Sequence, residues 1–317
     1  MTTTDPTPES PLKIGTRGSP LALAQAHETR TRLMDATGAP EAAFQIVIIK
    51  TTGDRVLDRP LKEIGGKGLF TKEIEEALLD GGIDLAVHST KDMPTQQPDG
   101  LVLDCFLPRE DPRDAFVTLD GRRLGDMAAG AVVGTSSLRR RAQLALRRPD
   151  LQVVEFRGNV QTRMAKLRDG VAEATFLAMA GLNRLGMEDV PRKAIDVDDM
   201  LPALAQGAIG IERRANDTRI AALLEPLHHA PTGHRIATER AFLRILDGSC
   251  ETPIAGLAEI ADGSIRLRGE VLRPDGSDLV EEAGAAPLSD GVVLGEDLAQ
   301  RLLDRAPAGF FDWRADA

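Results

Sequence analysis

Over the first two thirds of the chain, short runs rich in Val, Ile and Ala alternate with segments of helical periodicity. Gly, Ser, Thr and Asn mark the handovers between them. That rhythm belongs to α/β layers, where strands form a largely parallel sheet and helices cover its faces. Leu12–Gly15 reads as a strand, and the helix after it is capped by Ser19, opened by Pro20 and ended by Gly38. Phe44–Lys50 reads as a strand apolar enough to be buried on both faces. A helix from Thr71 through Leu79, stopped by Gly81-Gly82, leads to strands at Asp84–His88 and Leu101–Leu107. A second cycle opens after Pro112. It runs through a strand at Ala131–Thr135, a helix from Ser136 or Ser137 to Arg148, a strand at Leu151–Phe156 and a helix at Val160–Asp169. A strand at Ala174–Met179 follows, then one at Ala208–Glu212 and a helix at Asn216–Leu224.

Beyond this point the pattern changes. A helix at Thr232–Leu246 precedes strands at Ile254–Ile260, Ile265–Val271 and Leu279–Ala283, joined by Ala261-Asp-Gly and Arg273-Pro-Asp-Gly turns. A last helix covers Val293–Asp304. The sequence therefore predicts an α/β fold with a C-terminal α+β domain built on a three-stranded antiparallel sheet. Residues 1–10 read as a disordered tail, 11–108 with 205–226 as a first domain, 113–201 as a second and 230–317 as a third. A chain of 317 residues can bury that many cores. Two strands crossing between the first domains, near Arg109–Arg113 and Leu201–Gly207, point to a hinge.

Composition narrows the function. The net charge of −10 argues against a general nucleic-acid binder, and the 3% of aromatic residues argues against a base-stacking surface. The N-terminus lacks the basic and apolar regions of a secretory signal, and no apolar run approaches the roughly 18 residues of a membrane span. Cys105 and Cys250 are too far apart for metal-ligand spacing and too few for a disulfide framework, so the expected setting is cytoplasmic, without metal or membrane. Cys105 sits inside an apolar run and reads as a buried strand cysteine. Cys250 lies in the loop Leu246-Asp-Gly-Ser-Cys-Glu-Thr-Pro253, where either a covalent role or a plain loop thiol fits.

The positive charge is unevenly placed. Residues 134–168 hold nine cations against Asp150 and Glu155, a local excess of +7. Such a run is often a solvated helix face. This one begins at Gly134-Thr-Ser-Ser-Leu-Arg-Arg140, where a strand hands over to a helix and hydroxyls, free N–H groups and the positive dipole end converge. Arg157-Gly-Asn159 and Thr16-Arg-Gly-Ser19 are similar handovers, and in open α/β sheets the carboxyl ends of strands form the binding crevice. Arg139, Arg140 and Arg141 are about 100° apart on a helix, so Arg141 is sent to solvent. Gly65-Gly-Lys-Gly68 lacks Walker A spacing and is either a mobile lid bearing Lys67 or a surface turn. Asp92, in His88-Ser-Thr-Lys-Asp-Met-Pro94, is either a turn former or a carboxylate able to stabilise a developing cation.

Taken together, Thr16–Ala22, Gly65–Phe70, Ala86–Pro94, Arg109–Phe116, Gly134–Arg140, Arg157–Asn159, Leu201–Gly207 and Gly248–Cys250 resemble the porphobilinogen deaminase (hydroxymethylbilane synthase) family. The resemblance spans most of the chain. It implies two periplasmic-binding-protein-like domains arranged as a clamshell, plus the C-terminal domain. It also implies a dipyrromethane cofactor held by Cys250 through a thioether, to which four porphobilinogens are added with release of ammonia before the linear tetrapyrrole is hydrolysed off. By the same resemblance Asp92 is the catalytic carboxylate, aided by Lys91 and Arg17. Asp92, Lys91, Ser19, Thr135, Ser137, Arg139 and Arg140 hold the cofactor, and Arg17, Ser19, Arg157, Arg163 and Arg184 hold substrate. Lys67 and Phe70 belong to a mobile loop. Glu63 stands where the family often has Lys, with Lys62 beside it, and Ala205 stands where Val or Gly is common. The product passes to uroporphyrinogen-III synthase, and the family is monomeric. A ligand with a dozen carboxylates explains why 31 of the 39 cations are Arg, since the guanidinium pairs bidentately, although genomic bias gives the same excess. The competing reading is a non-catalytic clamshell receptor for a polyanionic small molecule.

Overall fold

The computed structural model describes residues 5–55, 68–246 and 252–314. The alternation along the chain resolves into two compact units, one of residues 5–55, 68–109 and 208–233, the other of residues 110–207, 234–246 and 252–314.

In the first unit, β1 (Leu12–Thr16), β2 (Phe44–Ile48), β3 (Leu85–Ser89), β4 (Leu101–Phe106) and β10 (Ile209–Arg214) form one sheet in the order β2-β1-β3-β10-β4. β1 is parallel to β2 and β3, while β10 is antiparallel to β3 and β4. Alternation within β3 loads both faces. Leu85 and Val87 join Ala26 and Leu33 of helix Pro20–Thr37 and Ile220 of helix Thr218–Leu224. Ala86 joins Ile74 and Leu78 of helix Lys72–Leu79 on the other side. The expectation that β2 is buried on both faces is corrected: it is an edge strand, and Ile48 is 54% exposed. The tail is also shorter than expected, because Pro6 is buried and Thr7 and Ser10 exchange backbone hydrogen bonds across a turn.

The second unit holds two sheets. β5 (Asp114–Thr118), β6 (Val132–Gly134), β7 (Gln152–Val154), β8 (Ala174–Ala178) and β9 (Arg192–Ala194) run in the order β7-β6-β8-β5-β9. Again three parallel strands adjoin an antiparallel fourth, here β5 beside β8. The two five-stranded sheets thus share one topology. Phe116, Val133, Leu144 and Phe176 fill one face, and Ala115, Val117, Phe156, Met164 and Leu182 the other. β11 (Ile254–Ala261), β12 (Ser264–Leu272) and β13 (Leu279–Pro287) form the expected antiparallel meander. Helix Gly291–Arg305 packs Leu294, Leu298 and Leu302 on it, beside Phe242 and Leu246.

The two crossings are irregular segments rather than strands. Glu110 N–H donates to Gly207 O at 3.1 Å. Gly207 has φ +87, and a Cβ there would lie 2.4 Å from Glu110 O, so no other residue fits.

Candidate active site

Each α/β sheet presents strand ends, and each set of ends is described within its own unit. In the first unit, Ser19 caps helix Pro20–Thr37 and its hydroxyl accepts from Ala22 N–H at 3.2 Å. β3 ends in a single 3₁₀ turn, Thr90–Asp92, tied down by Thr90 N–H to Ala208 O and Met93 N–H to Thr90 O. The helix start and the turn border a cleft of about 80 Å³ lined by Arg17, Ser19, Gln25, Phe70, His88 and Asp92, among others. Arg17 lies over the Phe70 ring, 4.2 Å from its centre, a cation–π contact. Asp92 is exposed, and Lys91 is half-buried on the same turn.

Polar bonds brace this cleft from behind. The amide of Gln25 meets Ser89 Oγ at 2.9 and 3.1 Å. Buried His88 meets Glu212 Oε2 at 3.0 Å through Nε2. Burial raises the pKa of nearby Glu75 above its ordinary value, against a hydrogen bond from Thr71 that lowers it.

In the second unit, Ser137 caps helix Leu138–Arg147, and Thr135 Oγ accepts from Ser137 N–H at 3.2 Å. Arg139 and Arg140 are 5% and 6% exposed and share one buried carboxylate, Asp114. Arg139 Nη1 is 2.7 Å from Oδ2, and Arg140 Nη2 donates to Oδ1 at 2.7 Å. These two cations hold the Asp114 carboxyl far below its ordinary value, against the opposing cost of burial. Arg163 and Arg140 both donate to Phe176 O, at 3.3 and 3.0 Å. Burial, then the charge of Arg140, lowers the Arg163 pKa to about 10. Two guanidiniums therefore share one buried carboxylate, and a third, Arg163, meets Arg140 at a common carbonyl, so positive charge exceeds negative around this helix start.

The remaining predicted residues divide. Asn159 caps helix Val160–Arg168, and Arg157 is half-buried just ahead of it. Arg184 closes helix Met179–Arg184 and donates to Gly207 O at 3.0 Å, so part of its guanidinium serves a crossing segment. Arg141 is 39% exposed, 3.8 Å from Glu155. The basic stretch is not an open basic face. Arg148 is consumed by Asp150, Leu124 O and Met127 O, and the arginine pair by Asp114. Cys105 is buried, and burial pushes its thiol up to about 12. Cys250, Lys67, Lys62 and Glu63 lie outside the described residues.

Sequence reasoning missed Asp114, Gln25 and the His88–Glu212 pair. Only Asp114 left a trace, an acid directly preceding an apolar run and following four charges in Arg109-Glu-Asp-Pro-Arg113.

An α/β domain pair with arginines, cap hydroxyls and a carboxylate at its strand ends defines a protein that handles a multiply carboxylated ligand. A profile described as "Porphobilinogen deaminase, dipyromethane cofactor binding domain" matches residues 12–222, and "Porphobilinogen deaminase, C-terminal domain" matches residues 234–304. The chain is 66% identical to the porphobilinogen deaminase of Paracoccus denitrificans, over 97% of this chain and 98% of that one. It is 55% identical to the chloroplastic porphobilinogen deaminase of Pisum sativum, over 95% of this chain and 83% of that one. Among solved structures it is similar to the BvgS periplasmic VFT2 domain of Bordetella pertussis. That similarity is 15% identity over 73% of this chain and 92% of that one, with a TM-score of 0.40, too distant to add to the sheet order above.

The chain belongs to the porphobilinogen deaminase family. It is a transferase of tetrapyrrole biosynthesis that polymerises porphobilinogen on a dipyrromethane cofactor.

Proposed function

We propose that Asp92 is the catalytic carboxylate of this transferase and that Cys250 carries the dipyrromethane through a thioether. The observation that carries the reading is the pairing of Arg139 and Arg140 on the single buried carboxylate of Asp114, with Arg163 beside Arg140 on the Phe176 carbonyl. Buried cationic excess is costly unless anions complete it, and acetate and propionate side chains are such anions. The residues present therefore fit the cofactor.

When bound, the dipyrromethane supplies an electron-rich pyrrole carbon as the growing end. Thr135, Ser137, Arg139 and Arg140 hold its carboxylates, together with Lys91 and Ser19. Arg17, Ser19, Arg157, Arg163 and Arg184 hold those of porphobilinogen. Loss of ammonia breaks the substrate's C–N bond with the electron pair leaving on nitrogen, so positive charge spreads into the pyrrole ring. Asp92 stabilises that charge at the pyrrole N–H, a role for a fixed carboxylate that moves no further group. Bond formation to the growing end then releases a proton from the attacked ring. Phe70, already under Arg17, and Lys67 belong to the loop that excludes water during this step.

The same reading divides the chain into three domains, one per sheet and core. It takes the protein as a cytoplasmic monomer that passes its product to uroporphyrinogen-III synthase, which rests on the family alone. Among the described residues no helix is long and apolar enough to cross a membrane.

Intact mass tests the site. The purified protein carries the increment of one dipyrromethane, and Cys250→Ala lacks it. Asp92→Asn keeps the increment and loses nearly all turnover, because the amide cannot offset ring charge. Active protein of unmodified mass overturns the role of Cys250, and normal turnover in Asp92→Asn overturns that of Asp92.

A further inference from the structure

Arg139 and Arg140 are successive residues, so their side chains leave the helix about 100° apart. Both nevertheless reach Asp114, the first residue of β5. Its Oδ1 accepts from Arg140 Nε at 3.2 Å and Nη2 at 2.7 Å, and Oδ2 lies 2.7 Å from Arg139 Nη1. Gln206 Nε2 donates to the same Oδ1 at 2.9 Å and to Pro112 O at 2.7 Å. Backbone carbonyls fix the far ends of the pair: Arg139 Nη1 donates to Leu201 O at 2.8 Å, and Arg140 Nη1 to Phe176 O at 3.0 Å. Among the described residues, Arg139 Nε and Nη2 donate to no protein acceptor. One edge of that guanidinium is thus held and the other is offered.

We propose that Asp114, fastened by Gln206, is the positioning residue that presents Arg139 and Arg140 to the carboxylates of the cofactor and of the growing chain. This rests on the assignment of the two arginines to carboxylate binding. A shared counter-charge fixes the spacing and tilt of two guanidiniums that the helix alone would splay, and bidentate recognition depends on that geometry. Gln206 extends the consequence. Pro112 and Gln206 belong to two of the segments by which the chain passes between its units, at Arg109/Glu110 and Gly207/Ala208, a third passage lying at Gly233/His234. The bearing of the arginine pair is therefore set by these two segments at once, and a change in either is felt where the carboxylates bind.

The test uses the full-length holoenzyme with Gln206→Leu and Asp114→Asn, beside Arg139→Lys and Arg140→Lys. Intact mass reports cofactor loading and the distribution of enzyme bearing one to four added rings. Steady-state rates give KM and kcat for porphobilinogen. Gln206→Leu is expected to fold, to load its cofactor, and to raise KM about tenfold with kcat within about threefold, the signature of lost binding geometry. Asp114→Asn is expected to show a larger rise in KM and to stall with fewer rings added. If Asp114→Asn does not fold, Gln206→Leu decides.

A merely structural role lowers the melting temperature and the active fraction while leaving KM of the surviving enzyme at the wild-type value, and that result overturns the proposal. If both Lys variants raise KM while Gln206→Leu and Asp114→Asn do not, positioning is wrong and the arginine assignment stands. If the Lys variants are also normal, the assignment itself has failed and the proposal falls with it.

Discussion

Glu270 offers a direct measure of how dry the interior of the second unit is. It lies on β12 and lines a cavity of about 370 Å³, yet it is only 2% exposed and, among the described residues, its Oε1 finds no hydrogen-bond donor. Burial raises its pKa from 4.5 to about 7. Arg147, Arg139 and Arg268 oppose that rise, and Glu281 adds to it. The folded protein therefore favours the neutral acid, while the unfolded chain begins to ionise near pH 4.5. Stability from this group is fully present below pH 4.5 and is lost as the pH rises through 7, above which the loss is constant. A gap of roughly two and a half pH units corresponds to about 3 kcal/mol at pH 8, and to only about 1 kcal/mol at pH 5. Glu270→Gln keeps the shape and cannot ionise. It should thus be more stable than wild type by about 3 kcal/mol at pH 8, with the advantage shrinking to about 1 kcal/mol at pH 5. Guanidinium unfolding at pH 5, 6, 7 and 8 measures this, and the sole tryptophan, Trp313, reports from the same unit. Parallel wild-type and variant curves across that range would refute the argument, as would a variant less stable at pH 8.

Two further outcomes follow from packing and burial. At Gly134 an added Cβ would lie 2.4 Å from the Phe156 ring, so Gly134→Ala should cost about 1–3 kcal/mol in denaturant unfolding, and a neutral result would mean the ring is free to move. Cys105, with its thiol pushed up to about 12, should stay unlabelled by a thiol reagent at pH 8 in native protein and react only on unfolding; fast native labelling would show that β4 opens.

What could be read from the sequence was local. The handovers at Ser19, Ser137 and Asn159 were visible because a cap and the helix it starts lie within four residues of each other, and all three side chains do accept from the first helical turn. β5 and helix Met179–Arg184 were not visible. A five-residue strand with only three apolar positions next to four charges in six residues shows no clean alternation, and a six-residue helix is too short to show a period. β2 failed for a different reason: its apolar residues were read correctly, but a strand's place in the sheet order is decided by partners elsewhere in the chain. The site divides in the same way. Arg139 and Arg140 announced themselves by type and position, whereas their counter-charge lies 26 residues from Arg140 and its fastening, Gln206, lies 92 residues from Asp114. Nothing in the spacing of those residues foretells that they meet.

That meeting carries an energetic consequence for the cofactor. Arg139 and Arg140 share the Asp114 carboxylate, and Arg163, beside Arg140 on the Phe176 carbonyl, remains protonated at neutral pH even with its pKa lowered to about 10. Within the chain Glu270 also faces Arg139, but with its own pKa raised to about 7 it offsets this charge only partly at neutral pH, and the rest carries the desolvation cost of buried unpaired charge. Carboxylates of the dipyrromethane would balance it, and on the proposed assignment the cofactor would then serve the second unit as a counter-ion as well as a primer. Cys250→Ala should accordingly melt below the holoenzyme. A shortfall of about 2–3 kcal/mol, typical of a ligand well above its dissociation constant, corresponds to several degrees for a chain of this size. Malonate, which supplies two carboxylates, should restore part of the difference to Cys250→Ala and add little to the holoenzyme, as read by differential scanning calorimetry. Equal melting temperatures, or an equal response of both proteins to malonate, would mean that the arginines are neutralised from within the chain.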